Sequence, residues 1–173
     1  MNEKTLIISL FGGPGTGKST LCANLFARMK MDGIDVEMAP EYVKEVVWEE
    51  SFKKIENQLY IFGKQHQRTH RLIDKVDVII TDSPLLNSIV YYNGNNPYFT
   101  DLVLCEYNKM NNLAFYLERS FEYVQNGRTQ TLENAKKVDQ IYESLLSENN
   151  IDHTVLTSPY DIDTILKVIK TKL

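Results

Sequence analysis

The stretch FGGPGTGKSTL, residues 11–21, contains a glycine-rich loop with the complete pattern G-x-x-x-x-G-K-[ST]. The continuous apolar run KTLIISLF, residues 4–11, precedes it and is typical of a strand buried on both faces. After the loop, Leu21, Leu25 and Met29 recur at every fourth position, which predicts a helix with one apolar stripe. A buried strand that leads through such a loop into a helix predicts a phosphate-binding site in an α/β fold.

The loop residues have distinct expected roles in holding a nucleotide triphosphate. The glycines permit backbone angles that let several N–H groups point at one phosphate. Lys18 is expected to reach the β- and γ-phosphates, and the Ser19 hydroxyl is expected to ligate Mg²⁺. The residues predicted to contact the nucleotide are Gly13, Gly15, Thr16, Gly17, Lys18, Ser19 and Thr20. Because a strand and a helix flank the pattern in the right order, triphosphate binding is favoured over an ordinary glycine-rich turn.

Strand-like and helix-like segments alternate along the rest of the chain. The predicted strands are residues 4–11, 35–40, 76–81, 112–117 and 152–156. Short apolar strands joined by helices predict a five-stranded parallel sheet inside a three-layer α/β/α sandwich. The length of 173 residues favours one domain that spans residues 1–173. Since ligands bind beyond the carboxyl ends of the strands in such folds, the residues that follow each strand are the candidates for a site.

The composition limits the classes of partner. The formal net charge is −4, whereas proteins that bind duplex nucleic acid usually carry a basic excess, so no duplex nucleic acid partner is expected. The two cysteines, Cys22 and Cys105, form no C-x-x-C pair and are expected to be reduced, which favours a cytoplasmic location. The apolar run at residues 6–11 is too short for a signal peptide. No stretch approaches the ~18 apolar residues of a membrane span, so no membrane partner is expected.

An aspartate ends the third predicted strand in VDVIITDSPL, residues 76–85. A carboxylate at the position of Asp82 can ligate Mg²⁺ through water or accept a proton from an attacking hydroxyl. The alternative is that Asp82 caps the next helix, because Asp-Ser-Pro is a good helix start. No guanine-reading motif occurs in the chain, and no water-activating glutamate stands beside Asp82. These features favour a small transferase whose acceptor is a hydroxyl or a phosphate.

Further candidates follow the second strand and lie on the long helix after it. Glu41 stands just past the strand and is a candidate to bind or deprotonate a sugar hydroxyl, or else a solvated acid at a helix start. Trp48 is predicted to lie in the core. Gln58 and Gln65 are seven residues apart with Phe62 between them, so they share one face of a helix. That face either binds a flat heterocycle through amide hydrogen bonds or is an ordinary polar helix face.

Two arginines follow the fourth strand in a segment predicted to be a lid, residues 119–132. Phosphoryl transfer spreads negative charge over the equatorial oxygens, and a segment that carries arginines can close over them and exclude water. Arg128 is predicted to be catalytic or to bind phosphate. Arg119 is predicted to contact the substrate. The alternative is a solvated loop in which Arg119 forms a local ion pair.

Two helices in the second half of the chain carry simple packing and capping patterns. Residues 131–146 are predicted to form a helix. Its expected inward-facing residues are Ala135, Val138, Ile141 and Leu145. Ser158 is predicted to cap a last helix that has Pro159 in its first turn.

Taken together, these motifs resemble the P-loop small-molecule kinases, in particular the NadR-like AAA-type domain, which includes nicotinamide riboside kinase domains. The residues that carry the resemblance are GGPGTGKSTL, PEYVKEV, NQLYIFGKQ, DVIITDSPLLNSIVYY and YVQNGRTQTLENAKKVDQIYESLL, which cover most of the chain. The deoxyribonucleoside kinases are similar at a greater distance. The resemblance implies ATP as donor, Mg²⁺ as cofactor, a nucleoside-like acceptor, and Glu41 or Asp82 as the base. Related kinases often have Asp-Arg where this chain has Asp82-Ser83, so Arg68, Arg71 or the lid would have to replace that arginine.

Three functions are therefore open at the level of sequence. The first is ATP-dependent phosphoryl transfer to the hydroxyl of a nucleoside-like acceptor, such as nicotinamide riboside or a (deoxy)nucleoside. The second is a nucleoside monophosphate kinase, whose acceptor is a phosphate and which needs more cleft arginines. The third is a switch module that binds ATP and hydrolyses it slowly. The sequence leaves the oligomeric state open, and a homo-oligomer is one of the alternatives.

Overall fold

A computed structural model of the chain describes residues 5–120, 131–160 and 162–172. The strands are β1 (Leu6–Phe11), β2 (Val36–Met38), β3 (Val78–Thr81), β4 (Asn112–Leu117) and β5 (His153–Leu156). The helices are α1 (Lys18–Met31), α2 (Tyr42–Trp48), α3 (Lys53–Glu56), α4 (Gln58–His70), α5 (Asn87–Val90), α6 (Pro97–Asn108), α7 (Leu132–Glu148) and α8 (Ile162–Lys170). None of the helices in these ranges is both long enough and apolar enough to cross a membrane.

The five strands form one parallel sheet in the order β2-β3-β1-β4-β5. Strand β1 is central, and all six of its residues are buried, as its uninterrupted apolar sequence predicts. After β1 the chain forms β2 at the edge of the sheet, and then β3 between β2 and β1. It then crosses to the other side of β1 and forms β4 and β5. The carboxyl end of β1 is therefore the point at which the strand order reverses, where open α/β sheets bind their ligands.

Helices cover both faces of the sheet. Buried residues of α1 and α8 form one core cluster with Ile8 and Leu10 of β1. Buried residues of α6 and α7 form a second cluster that includes Phe11, Ala114 and Tyr116. This arrangement confirms the predicted three-layer α/β/α fold with a five-stranded parallel sheet.

Three local predictions were wrong. Ile141 is 44% exposed, whereas Tyr142 is buried, because Tyr142 lies four residues after the buried Val138 and turns toward the sheet. Trp48 is 79% exposed at the end of α2, where Val46 supplies the inward contact. The last helix begins at Ile162, later than expected, and the Ser158 hydroxyl accepts a hydrogen bond from the Tyr160 N–H (3.2 Å) in a turn before it.

Candidate active site

The glycine-rich loop has the backbone geometry that phosphate binding requires. Gly15 and Gly17 have φ values of 82° and 97°, in the left-handed region that glycine adopts without strain. The buried Thr16 hydroxyl donates to the Gly13 carbonyl oxygen (3.1 Å) and closes the loop from inside. Gly17 is the N-cap of α1, and no side-chain hydrogen bond caps this helix start. The first N–H groups of α1 are thus available to an anion.

The side chain of Lys18 folds back over this loop. Its amine donates to the carbonyl oxygens of Gly12 (2.6 Å) and Gly13 (2.8 Å). Burial lowers the pKa of Lys18 to about 8, although the nearby carboxylates of Glu41 and Asp82 act in the opposite direction. Lys18 is therefore a cation that lies among backbone carbonyls and acidic side chains at the end of β1.

Ser19 and Asp82 meet across the carboxyl ends of β1 and β3. The Ser19 hydroxyl donates to Asp82 Oδ2 (2.6 Å), and the Glu41 N–H donates to Asp82 Oδ1 (3.2 Å). The next helix, α5, begins at Asn87 and has Leu86 at its N-cap, so Asp82 does not cap it. A hydroxyl and a carboxylate in contact are the hard oxygen ligands that Mg²⁺ takes in phosphate-binding sites, together with phosphate oxygens and water. These two residues fit the predicted metal site.

Glu41 follows β2 on the opposite side of Asp82 from the loop. It occupies the N-cap of α2, yet its side chain makes no capping hydrogen bond to that helix. Burial raises the pKa of Glu41, and the Asp82 charge raises it further, while Lys18 and Lys44 partly offset both. Glu41 thus shares one electrostatic environment with Lys18 and Asp82, so three of the four predicted catalytic side chains lie close together.

A family model described as an AAA domain matches residues 7–161. The chain belongs to the AAA domain family. No curated protein matches it.

Solved structures similar to this AAA domain include a deoxyadenosine kinase from M. mycoides in two states. The structure with the products dCMP and a flexible dCDP has a TM-score of 0.59 and 21% sequence identity, covering 96% of this chain and 97% of that one. The structure with bound dATP has a TM-score of 0.56 and 19% identity, covering 96% and 98%. At these identities the likeness shows a shared fold, that of a P-loop nucleoside kinase.

The predicted ring-binding residues of the AAA domain lie on α4, where both glutamines bond to backbone. Gln65 Oε1 accepts from the Tyr42 N–H (3.0 Å), and its Nε2 lies 3.4 Å from the carbonyl oxygens of Ala39 and Pro40. Gln58 Nε2 donates to the Ile55 carbonyl oxygen (3.0 Å). Gln65 therefore fastens the segment on either side of Glu41 to α4.

Phe62 lies between these glutamines and packs into the second core cluster. Its ring meets Phe99 edge-on, with 6.0 Å between the ring centroids. The Phe62 side chain is 8% exposed, so only a small part of it could touch a ligand. Roles of Gln58, Phe62 and Gln65 in substrate binding stay predictions.

The predicted lid arginines have different outcomes. Arg119 is 12% exposed and pairs with Asp139 of α7, with 2.8 Å between Arg119 Nε and Asp139 Oδ2, rather than lying in a solvated loop; its contact with the substrate stays a prediction. Arg128 and most of the predicted lid, residues 121–130, lie outside the described residues. The catalytic role of Arg128 stays a prediction. Arg68, a candidate for the missing arginine, forms an ion pair with Glu45.

Sequence reasoning missed Asp139 and Tyr142. Asp139 touches both the loop and Arg119, while Tyr142 is fully buried and has its pKa raised well above the usual range by burial, with Tyr91 and Glu41 nearby. The available signal was position: Asp139 directly follows the inward-facing Val138, and a charged residue there needs a partner.

Proposed function

We propose that this chain transfers the γ-phosphoryl group of ATP to a hydroxyl of a nucleoside-like acceptor. The observation that carries the proposal is the clustering of Lys18, Asp82 and Glu41 at the carboxyl ends of β1, β3 and β2. A cation, a carboxylate in contact with the loop hydroxyl and a second carboxylate opposite them are the groups that phosphoryl transfer to a hydroxyl requires. The AAA domain family and the kinase fold are consistent with this assignment.

The donor side of the site consists of the loop and the residues that meet it. The N–H groups at the start of α1 would bind the phosphates, and Lys18 would exchange its carbonyl partners for phosphate oxygens. Ser19 and Asp82 would hold Mg²⁺, which when bound neutralises charge on the β- and γ-phosphates. The two hydrogen bonds that the Asp82 carboxylate accepts hold it beside the Ser19 hydroxyl, which supports a shared role of the two residues in holding the metal.

The acceptor side centres on Glu41. Among the described residues, the Glu41 carboxylate accepts no hydrogen bond, whereas both oxygens of Asp82 are engaged. The raised pKa of Glu41 favours proton acceptance. We therefore assign Glu41 as the base. The acceptor oxygen bonds to the γ-phosphorus, the bond to the bridging oxygen breaks, ADP leaves, and the hydroxyl proton goes to Glu41.

The acceptor is best described as a nucleoside, with nicotinamide riboside or a (deoxy)nucleoside as the candidates and residues 58–65 as the predicted contact for its ring. A phosphate acceptor has less support. It would require free cations near the acceptor, whereas within the described residues Arg68 is paired with Glu45, and Arg119 is paired with Asp139. The solved structures of similar fold are of a nucleoside kinase, which agrees with a hydroxyl acceptor.

The test of this function is acceptor-dependent release of ADP. A coupled ADP assay with MgATP is run against nucleosides, nicotinamide riboside and the corresponding monophosphates. Acceleration by a nucleoside supports the proposal, acceleration by a monophosphate alone identifies a nucleoside monophosphate kinase, and slow turnover that no acceptor changes identifies a switch module.

We expect Glu41→Gln to lower kcat by about 10²- to 10⁴-fold while the affinity for ATP stays nearly unchanged, because the amide cannot take the proton of the acceptor. The measurement is steady-state kinetics with the best acceptor of the panel. Glu49→Gln, at the exposed end of the same helix, serves as the control and should retain full activity. Equal kcat values for Glu41→Gln and the parent protein would remove Glu41 from the mechanism.

The lowered pKa of Lys18 makes nucleotide binding dependent on pH. We expect affinity for an ATP analogue to fall as pH rises through about 8, because free Lys18 loses the proton whose charge attracts the phosphates. Bound phosphates stabilise the charged amine, so binding above this pH should take up a proton. Titration calorimetry in buffers of different ionisation enthalpy measures both quantities. Constant affinity and no proton uptake across this pH range would contradict the expected role of the charged Lys18 amine in binding the phosphates.

A further inference from the structure

A carboxylate on α7 bonds directly to the phosphate loop. Asp139 Oδ1 accepts a hydrogen bond from the Gly13 N–H (3.0 Å), across 126 residues of sequence. The Asp139 side chain is 15% exposed, so the bond forms in a partly desolvated place. Hydrogen bonds from a backbone N–H to an ionised carboxylate are among the stronger and shorter ones in proteins.

The same carboxylate also holds Arg119. Arg119 Nε lies 2.8 Å from Asp139 Oδ2, and Nη2 lies 3.1 Å from Oδ1, so the pair is bidentate. Arg119 is only 12% exposed. A bidentate pair fixes the orientation as well as the distance of both groups. Asp139 thus joins the end of β4, helix α7 and the loop at one point.

Gly13 is the position that makes this approach possible. A Cβ at Gly13 would lie 2.0 Å from Asp139 Oδ1 and 3.0 Å from Arg119 Nη2. The positive φ values of the loop are at Gly12, Gly15 and Gly17, so Gly13 does not need glycine for its backbone angle. Its lack of a side chain is instead explained by the carboxylate that packs against it.

The backbone groups of Gly13 connect the Asp139 carboxylate to Lys18. On one side the Gly13 N–H donates to Asp139, and on the other the Gly13 carbonyl oxygen accepts from the Lys18 amine (2.8 Å) and from the Thr16 hydroxyl (3.1 Å). The orientation of this residue therefore determines where the amine lies. The opposite charges of Asp139 and Arg119 largely cancel at a distance, so the main effect of the pair on the loop is geometric.

We propose that Asp139 is a positioning residue for nucleotide binding, which orients the first turn of the phosphate loop and holds Arg119 beside it without itself touching the nucleotide. This inference rests on the proposed function in one respect, that the loop binds ATP. It does not depend on the identity of the acceptor.

The first test compares Asp139→Asn with Glu143→Gln, which removes a carboxylate one turn further along α7 that accepts a hydrogen bond from the Tyr116 hydroxyl. Binding of a non-hydrolysable ATP analogue with Mg²⁺ is measured by calorimetry. We expect about tenfold weaker binding for Asp139→Asn, because a partly buried Arg119 loses its charged partner, and no change for Glu143→Gln. Unchanged or tighter binding by Asp139→Asn overturns the inference.

The thermal shift caused by the ATP analogue separates positioning from a general loss of structure. A merely destabilised fold lowers the Tm of the free protein but keeps the rise in Tm that the bound analogue causes, whereas a misplaced loop reduces that rise. We expect a smaller rise in Asp139→Asn than in Glu143→Gln at the same analogue concentration. An equal rise in the two variants contradicts the inference.

The second test uses Gly13→Ala, which keeps the carboxylate but displaces it. We expect Gly13→Ala and Asp139→Ala to weaken binding of the ATP analogue by similar factors. The double variant should bind the analogue no more weakly than the weaker-binding single variant, because both substitutions break the same contact. Additive losses overturn the inference. If Asp139→Asn does not fold, Gly13→Ala decides alone, with unchanged binding as the contradicting result. Absence of binding by the parent protein would instead refute the proposed function.

Discussion

Lys18→Ala is expected to lower kcat/KM for ATP by about 10³-fold or more. Lys18 is the loop side chain that the sequence predicts to reach the β- and γ-phosphates. Its amine is now held by the Gly12 and Gly13 carbonyl oxygens, which places it at the mouth of the loop. Alanine removes the charge and leaves those carbonyl oxygens facing the phosphates.

The measurement for Lys18 is steady-state turnover combined with binding of a non-hydrolysable ATP analogue. Lys136→Ala, an exposed lysine on α7, is the matched control and should behave like the parent protein. Thermal unfolding of both variants checks that the fold is retained. Turnover by Lys18→Ala within a few-fold of the parent value would show that the loop does not bind a triphosphate productively.

Asp82→Asn is expected to lower kcat by about 10²- to 10³-fold and to change ATP affinity much less. The amide oxygen can still accept from the Ser19 hydroxyl, so the local structure should survive. The missing charge is expected to matter in the transition state, because the proposed metal site of Ser19 and Asp82 loses its carboxylate and Lys18 loses a counter-charge. The effect should therefore appear in kcat.

Asp101→Asn, an exposed aspartate on α6, controls for the loss of one negative charge. Magnesium titrations of turnover in the two variants distinguish the possible roles of Asp82. A higher magnesium requirement in Asp82→Asn supports metal holding. Near-normal turnover at the parent magnesium concentration would show that Asp82 neither organises the metal nor takes part in proton transfer.

The fold could be predicted from sequence because its signals are local. The apolar run of β1, the glycine loop and the apolar stripe of α1 each occupy adjacent residues, and their order is diagnostic of an α/β unit. Helix α6 escaped prediction, although Asn96 caps it and Pro97 occupies its first turn, because its apolar residues follow a polar loop rather than a strand. Trp48 shows the opposite error, since a large apolar residue at a helix end was expected inside.

The expectation that ligands bind beyond the carboxyl ends of the strands identified three of the candidate residues. Lys18, Asp82 and Glu41 follow three neighbouring strands, so their proximity followed from the parallel sheet alone. Asp139 could not be found in this way, because it lies in mid-helix and meets Gly13 only once α7 packs on the sheet. Such a contact depends on tertiary packing, which no local pattern encodes.

For the glutamines of α4, the sequence predicted their position on the helix but not their hydrogen-bond partners. Their shared face was predicted correctly from a spacing of two helical turns, and both are buried. What the spacing could not indicate is that backbone groups near Ala39 and Tyr42 compete for the Gln65 amide. A ligand that binds this amide would have to replace those bonds, and the segment that carries Glu41 would respond.

Transfer of the γ-phosphoryl group from ATP to a hydroxyl of a nucleoside-like acceptor can be followed with γ-³²P-ATP. The protein is incubated with the labelled ATP, Mg²⁺ and each of the candidate nucleosides, nicotinamide riboside among them, and the labelled products are separated. We expect label in a phosphorylated nucleoside, with none formed by Lys18→Ala. Label found only as inorganic phosphate, at a rate that no nucleoside changes, would rule out the proposed transfer.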